Sequence, residues 1–155
     1  MRHHKTNRIK LALAALAIVG TTINFTSCMD KNRNPFFSEY KTPHETAPFH
    51  KIKLEHYEPA LMEGIKQHQA EVDAIINNPE APTFENTIVA LEYAGSLLDR
   101  VTTVFFTLNS AETSEEMQAL AQKLSPVLTE HSNNISLNEA LFARVKAVYE
   151  TTDKR

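Results

Sequence analysis

Between residues 57 and 148, apolar side chains return at steps of three and four, and this period limits the chain to helices. Tyr57, Leu61, Ile65, Val72, Ile75 and Ile76 form the first series, with His68 inside it. Pro59 reads as a first-turn residue, where a missing N–H is tolerated, so the spacing predicts a helix from about Pro59 to Asn78. "NNPEAPT" breaks it, because Pro79 and Pro82 push the residues before them out of the α region. Phe84, Ile88, Leu91, Gly95, Leu98, Val101, Phe105 and Leu108 then predict one helix of about 25 residues, the spine of the domain. Met117, Leu120, Leu124 and Leu128 mark a third helix, with a capping box at Thr113 and Glu116 and a bend at Pro126. Leu137, Leu141, Val145 and Val148 mark a fourth, with a box at Ser136 and Glu139. No segment alternates like a strand, and three Gly in 155 residues suit a helical globule. The expected fold is all-α, an antiparallel array of about four helices.

The first 27 residues have a different character. "MRHHKTNRIK" is cationic and "LALAALAIVG" is an apolar run too short to span a bilayer, the order of an export signal. Thr26 and Ser27 then precede Cys28, the single cysteine, in the manner of a bacterial lipobox, although Phe25 stands where an aliphatic residue is usual. The expectation is a lipoprotein-type signal over 1–27 and a lipid anchor on Cys28. The product would be exported to the cell envelope, facing the periplasm or the outer surface. The bland alternative is a soluble exported protein cut nearby. Residues 28–49 hold three prolines with Phe36, Phe37, Tyr40 and Phe49, and read as an extended arm laid on the helical body of residues 50–155. Without the signal, 12 Lys and Arg face 19 Asp and Glu, with no basic stripe, so nucleic acid is not expected as a partner.

"PTFENTIVALE" at 82–92 poses the question of a chemical site. Thr83 is placed to cap a helix, Glu85 sits in the first turn where the macrodipole favours an acid, and Phe84 opens the expected buried stripe. Asn86 has no local explanation. "HETAPFH" sets His44, Glu45 and His50 near one another. Six residues with Pro48 between them cannot reproduce the i, i+4 pair that a zinc-binding helix uses. His68 and Glu71 share a helix face at i, i+3, but the order is reversed from that of a dimetal carboxylate site and has no second copy, so a polar pair is expected. No Gly-x-Ser-x-Gly elbow and no phosphate-cradling glycine loop occurs. Glu85, Glu92, Glu115 and Glu116 fall at helix starts or on exposed faces. Composition and spacing therefore predict no catalytic, cofactor-binding or metal-binding residue.

"HYEPAL" at 56–61, "NNPEAPTFENTIVALEYAGSLLDRV" at 77–101, "VFFTLNSAETSEE" at 104–116 and "SLNEALFARVKAVYE" at 136–150 resemble the N-terminal region of bacterial peptidyl-dipeptidases, relatives of oligopeptidase A and thimet oligopeptidase. "NPFFSEYKTP" and "APFHKI" fit the same group, so the resemblance covers about residues 34–150. It implies part of a large, mostly helical zinc metallopeptidase whose channel admits short peptides. It also makes Asn86 part of a packing signature with a helix-end hydrogen bond. The zinc and the His-Glu-x-x-His helix belong to the complete protein; no position here receives those roles, and the chain reads as truncated. Two functions follow: the channel-wall region of such a peptidase, or a stand-alone, lipid-anchored helical binding module without enzymatic activity.

Overall fold

The computed structural model describes residues 34–151, so the expected signal over 1–27, Cys28 and the start of the expected arm lie outside the described residues. The order is an arm with 3-10 turns at Pro35–Phe37 and Pro43–Glu45, then α1 (Leu54–Ile76), a π turn (Phe84–Val89), and the short α2 (Ala90–Tyr93). α3 (Ser96–Ala111), α4 (Glu115–Ser136) and α5 (Glu139–Thr151) complete it, and no strand occurs among the described residues. The all-α expectation holds.

Several local expectations need correction. α1 starts five residues before Pro59, because the Lys53 N–H donates to His56 Nδ1 at 3.0 Å and closes the helix start. Pro59 therefore lies inside α1, in its second turn, where it leaves the Glu55 carbonyl without its i+4 donor. The 25-residue spine is not one helix. It opens as a π turn, and after Tyr93 the backbone turns at Ala94 and passes through Gly95 at φ +78° before α3 begins. Only glycine takes that conformation without cost, and the Gly95 N–H is drawn to the Glu71 carboxylate at 2.6 Å. Ser114, not Thr113, caps α4 by accepting from the Met117 N–H at 3.2 Å. Glu116 still takes part: hydrogen bonds from its own backbone and the Ser114 hydroxyl hold its carboxyl below the usual range. α4 runs on through Ser136, and Asn138 accepts from the Leu141 N–H to start α5.

Two apolar clusters hold the array together. In the first, Phe36 from the arm stacks on Tyr57 of α1 at 5.4 Å, and Tyr57 on Phe105 of α3 at 4.9 Å, with Leu61, Leu97, Val101 and Leu124 around them. Phe36, Phe37 and Tyr40 thus pack on the helical body, while Phe49 is exposed. Asn34 donates to the His56 carbonyl at 2.8 Å, and Arg100 donates to the Phe36 carbonyl at 2.6 Å while lying over the Tyr40 ring. The second cluster packs Val72 and Ile75 of α1 against Leu141 of α5.

α1 packs tightly on α3 at Gly64. A Cβ there would lie 2.9 Å from the Leu98 Cα and 3.0 Å from its N, and backbone cannot yield as a side-chain tip can. Gly64→Ala is expected to destabilise the fold by about 1–3 kcal/mol, against the helix-propensity gain of up to ~1 kcal/mol that alanine brings. A urea midpoint at or above that of the wild type would contradict this close packing.

Candidate functional site

The 82–92 stretch forms a reciprocal cap. The Asn86 N–H donates to Thr83 Oγ1 at 3.0 Å, and the Thr83 N–H donates back to Asn86 Oδ1 at 2.8 Å. Asn86 Nδ2 reaches the Ala81 carbonyl at 2.9 Å, and Thr87, fully buried, donates to Asn86 Oδ1. From α5 the buried Arg144 donates to the Asn78 carbonyl at 2.8 Å and to Asn86 Oδ1 at 3.3 Å, with longer approaches to the Glu80 carbonyl. Asn86 is therefore the helix-end hydrogen-bonding residue that the family resemblance implies, and it touches no reactive group. Phe84 does not open a buried stripe: it is 55% exposed, and Thr87 points inward instead. A π turn closes i→i+5 and shifts the inward face by a residue. Arg144 was not singled out by the spacing, since an arginine on an amphipathic helix ordinarily belongs to the wet side.

His44, Glu45 and His50 do not assemble. His44 and Glu45 occupy a left-handed turn at φ 57° and 55°, and all three side chains are exposed. No group of three or more His, Cys, Asp or Glu that could hold a metal ion occurs among the described residues. The arm also holds a Ser-x-x-Lys spacing at Ser38 and Lys41, a pattern used by some serine hydrolases. Such a spacing brings two side chains together on a helix, whereas this segment is extended, both residues are exposed, and Ser38 donates to the Pro35 carbonyl at 3.3 Å.

His68 and Glu71 separate in role. Glu71 holds the Gly95 corner, while His68 Nδ1 meets His131 Nε2 of α4 at 3.0 Å with the rings edge to face. His131 is buried, and burial, reinforced by His68, pushes its pKa below the ordinary imidazole value. Beyond these, an open groove of about 1010 Å³ runs between α1 and α4, floored by Leu54, Pro59, Met62, Ala119 and Leu120 and bridged by Lys123–Glu58 at 2.6 Å. Among the described residues, the arrangement offers caps, clasps and grooves, but no nucleophile paired with a base.

Among the described residues, no helix is long and apolar enough to cross a membrane. No family model matches the chain. The dipeptidyl carboxypeptidases of Salmonella typhimurium and Escherichia coli are each 47% identical to it over 117 residues, covering 76% of this chain. Oligopeptidase A of Salmonella typhimurium is 28% identical over 109 residues, 70% of this chain and 15% of that relative. The chain spans only 17% of the length of the dipeptidyl carboxypeptidases it matches. Identity of that level over 117 residues places the matched part of the chain in the dipeptidyl carboxypeptidase family.

Proposed function

We propose that this chain is the N-terminal, channel-walling region of a zinc-dependent peptidyl-dipeptidase acting on short peptides, exported and held at a membrane through an acylated Cys28. The observation that carries the reading is the 47% identity over 117 residues to two dipeptidyl carboxypeptidases. Among the described residues, the donors do not suit zinc. His44, Glu45 and His50 sit on an exposed turn, and His68 and His131 are engaged with each other, so the metal and the water it would activate belong to residues elsewhere in the protein. What these residues supply is a stiff wall: Arg144 pins the 78–86 loop, Arg100 pins the arm, and Gly64 lets α1 and α3 close up. Such a wall selects peptides by size without touching the scissile bond. The exposed Leu137, Phe142 and Tyr149 around α5 give the remainder of the protein an apolar surface to pack on.

The test is a chimera in which residues 1–151 replace the matching segment of the Escherichia coli dipeptidyl carboxypeptidase. It should fold, hydrolyse short peptides, spare folded proteins, and incorporate labelled fatty acid that Cys28→Ser abolishes. A folded chimera that cleaves large and small substrates alike would remove the wall. Fatty-acid labelling that persists in the Cys28→Ser variant would remove the anchor. Failure of the chimera to assemble, with the chain alone monodisperse and cooperatively folded, would favour the stand-alone, lipid-anchored binding module.

A further inference from the structure

The contact between His68 and His131 has no part in the proposed wall beyond filling a seam, yet its chemistry is unusual for a structural contact. Three elements meet there. His68 lies on α1 with its ring against the Gly95 corner, where a Cβ would come within 2.9 Å of the His68 Cγ. Glu71, one turn further along α1, secures that corner through the Gly95 N–H. His131, 7% exposed, projects from α4 and sets its Nε2 3.0 Å from His68 Nδ1. A hydrogen bond between two imidazoles needs one N–H and one lone pair facing each other. Two neutral rings satisfy this, and so does one neutral ring with one imidazolium. Two imidazolium rings cannot, because both facing nitrogens then carry protons and the charges repel.

We propose that the His68–His131 pair is an acid-released clasp between α1 and α4: a single shared proton keeps the seam shut at neutral pH, and full protonation of both rings parts it. The charged groups around the pair do not cancel this effect. α1 presents Glu71, already engaged by the Gly95 N–H, and, on the groove beside His131, Lys66 and Asp73; α4 presents Glu130 on the same groove; the corner brings Gly95, which has no charge. Lys66, Asp73 and Glu130 are all exposed and solvent-screened, so none of them offsets the repulsion between two charged rings in direct contact. The sign follows from burial. The fold favours neutral His131, so its folded pKa lies below the free value of 6.5; this contribution is complete above that value and is lost as pH falls. Release would widen the groove of about 450 Å³ that Ile65, Ala70, Val127 and Asn134 line next to His131.

The experiment follows ring-nitrogen NMR signals and amide hydrogen exchange over 127–136 in the full chain, from about pH 7.5 to about pH 5. His131 is expected to titrate below the free imidazole value, because burial and the facing His68 disfavour its charged form. Exchange in α4, corrected for its intrinsic pH dependence, should rise by about tenfold for each pKa unit separating His131 from free imidazole. His131→Gln keeps a donor towards His68 Nδ1 but carries no titrating charge, so it should hold α4 closed across the whole range. His68→Gln, probed in parallel, guards against a variant that fails for reasons of folding. Titration of His131 at or above the free value, or equal acid sensitivity of wild type and His131→Gln, would overturn the clasp.

Discussion

Phe36→Ala is expected to lower the unfolding free energy by about 3–5 kcal/mol, the range for emptying an aromatic site in a core. The residue comes from the arm, 18 positions before α1 begins, and yet it is fully buried. Its ring rests on Tyr57, whose other neighbour is Phe105, so the substitution leaves a void at the end of a three-ring stack rather than at a surface that can collapse. The Phe36 carbonyl also receives Arg100, and a loosened arm would leave that half-buried guanidinium facing fewer partners. Since a domain of this size has only about 5–15 kcal/mol in hand, the variant should lose a large part of its stability. Equilibrium urea unfolding measures this directly, and Phe36→Leu, which refills most of the volume, should recover most of the loss. A cost under about 1 kcal/mol for the alanine variant would mean that the arm is not seated in solution.

Arg144→Ala should cost about 2–3 kcal/mol, more than any exposed charge on the same helix. The guanidinium reaches the Asn78 carbonyl and Asn86 Oδ1 at once, and its removal takes the charged donor from the Asn78 carbonyl at a partly buried corner, while Asn86 Oδ1 keeps Thr83 and Thr87. Arg144→Lys should rescue little, because a single ammonium on a flexible stem cannot replace a planar fork with two separated targets. The comparison is Lys146→Ala, whose 3.7 Å pair with Glu150 is exposed and should be worth only a few tenths of a kcal/mol. Hydrogen exchange over residues 78–87 should rise in Arg144→Ala and stay unchanged in Lys146→Ala. Equal stability of the two variants would show that the loop is held by Thr83 and Asn86 alone.

The period of the apolar residues was sufficient to read the all-α class, since 3.6-residue repeats persist however the helices are joined. It did not reveal the joints. Gly95 fits the stripe of Ile88, Leu91 and Leu98 by spacing, so a glycine needed for its positive φ looked like one more packing position. The π turn hid in the same way: phase arguments assume 3.6 residues per turn, and one wider turn exposed Phe84 and buried Thr87. Cap positions moved by one or two residues, because Ser114 and Asn138 compete locally with Thr113 and Ser136 for the same orphan donors. The arm was legible through its aromatics. The partners of Arg144 and His131 were not, because they are set by side chains more than fifty residues away, which no local pattern encodes.

The seating of Phe36 also fixes an order of events. Its slot has walls from Tyr57 on α1 and Phe105 on α3, with Arg100 of α3 closing over the backbone. None of α3 exists when the arm leaves the ribosome, and at about 5–20 residues per second the Phe105 codon follows several seconds later. During that interval the arm is an unattached apolar hook. Bridging 64 residues between Phe36 and Arg100 also carries a loop-closure cost that the α1–α3 pairing must offset first. The arm is therefore made well before its own site, and a chaperone that shields it during translation would act on a piece that must wait for α3.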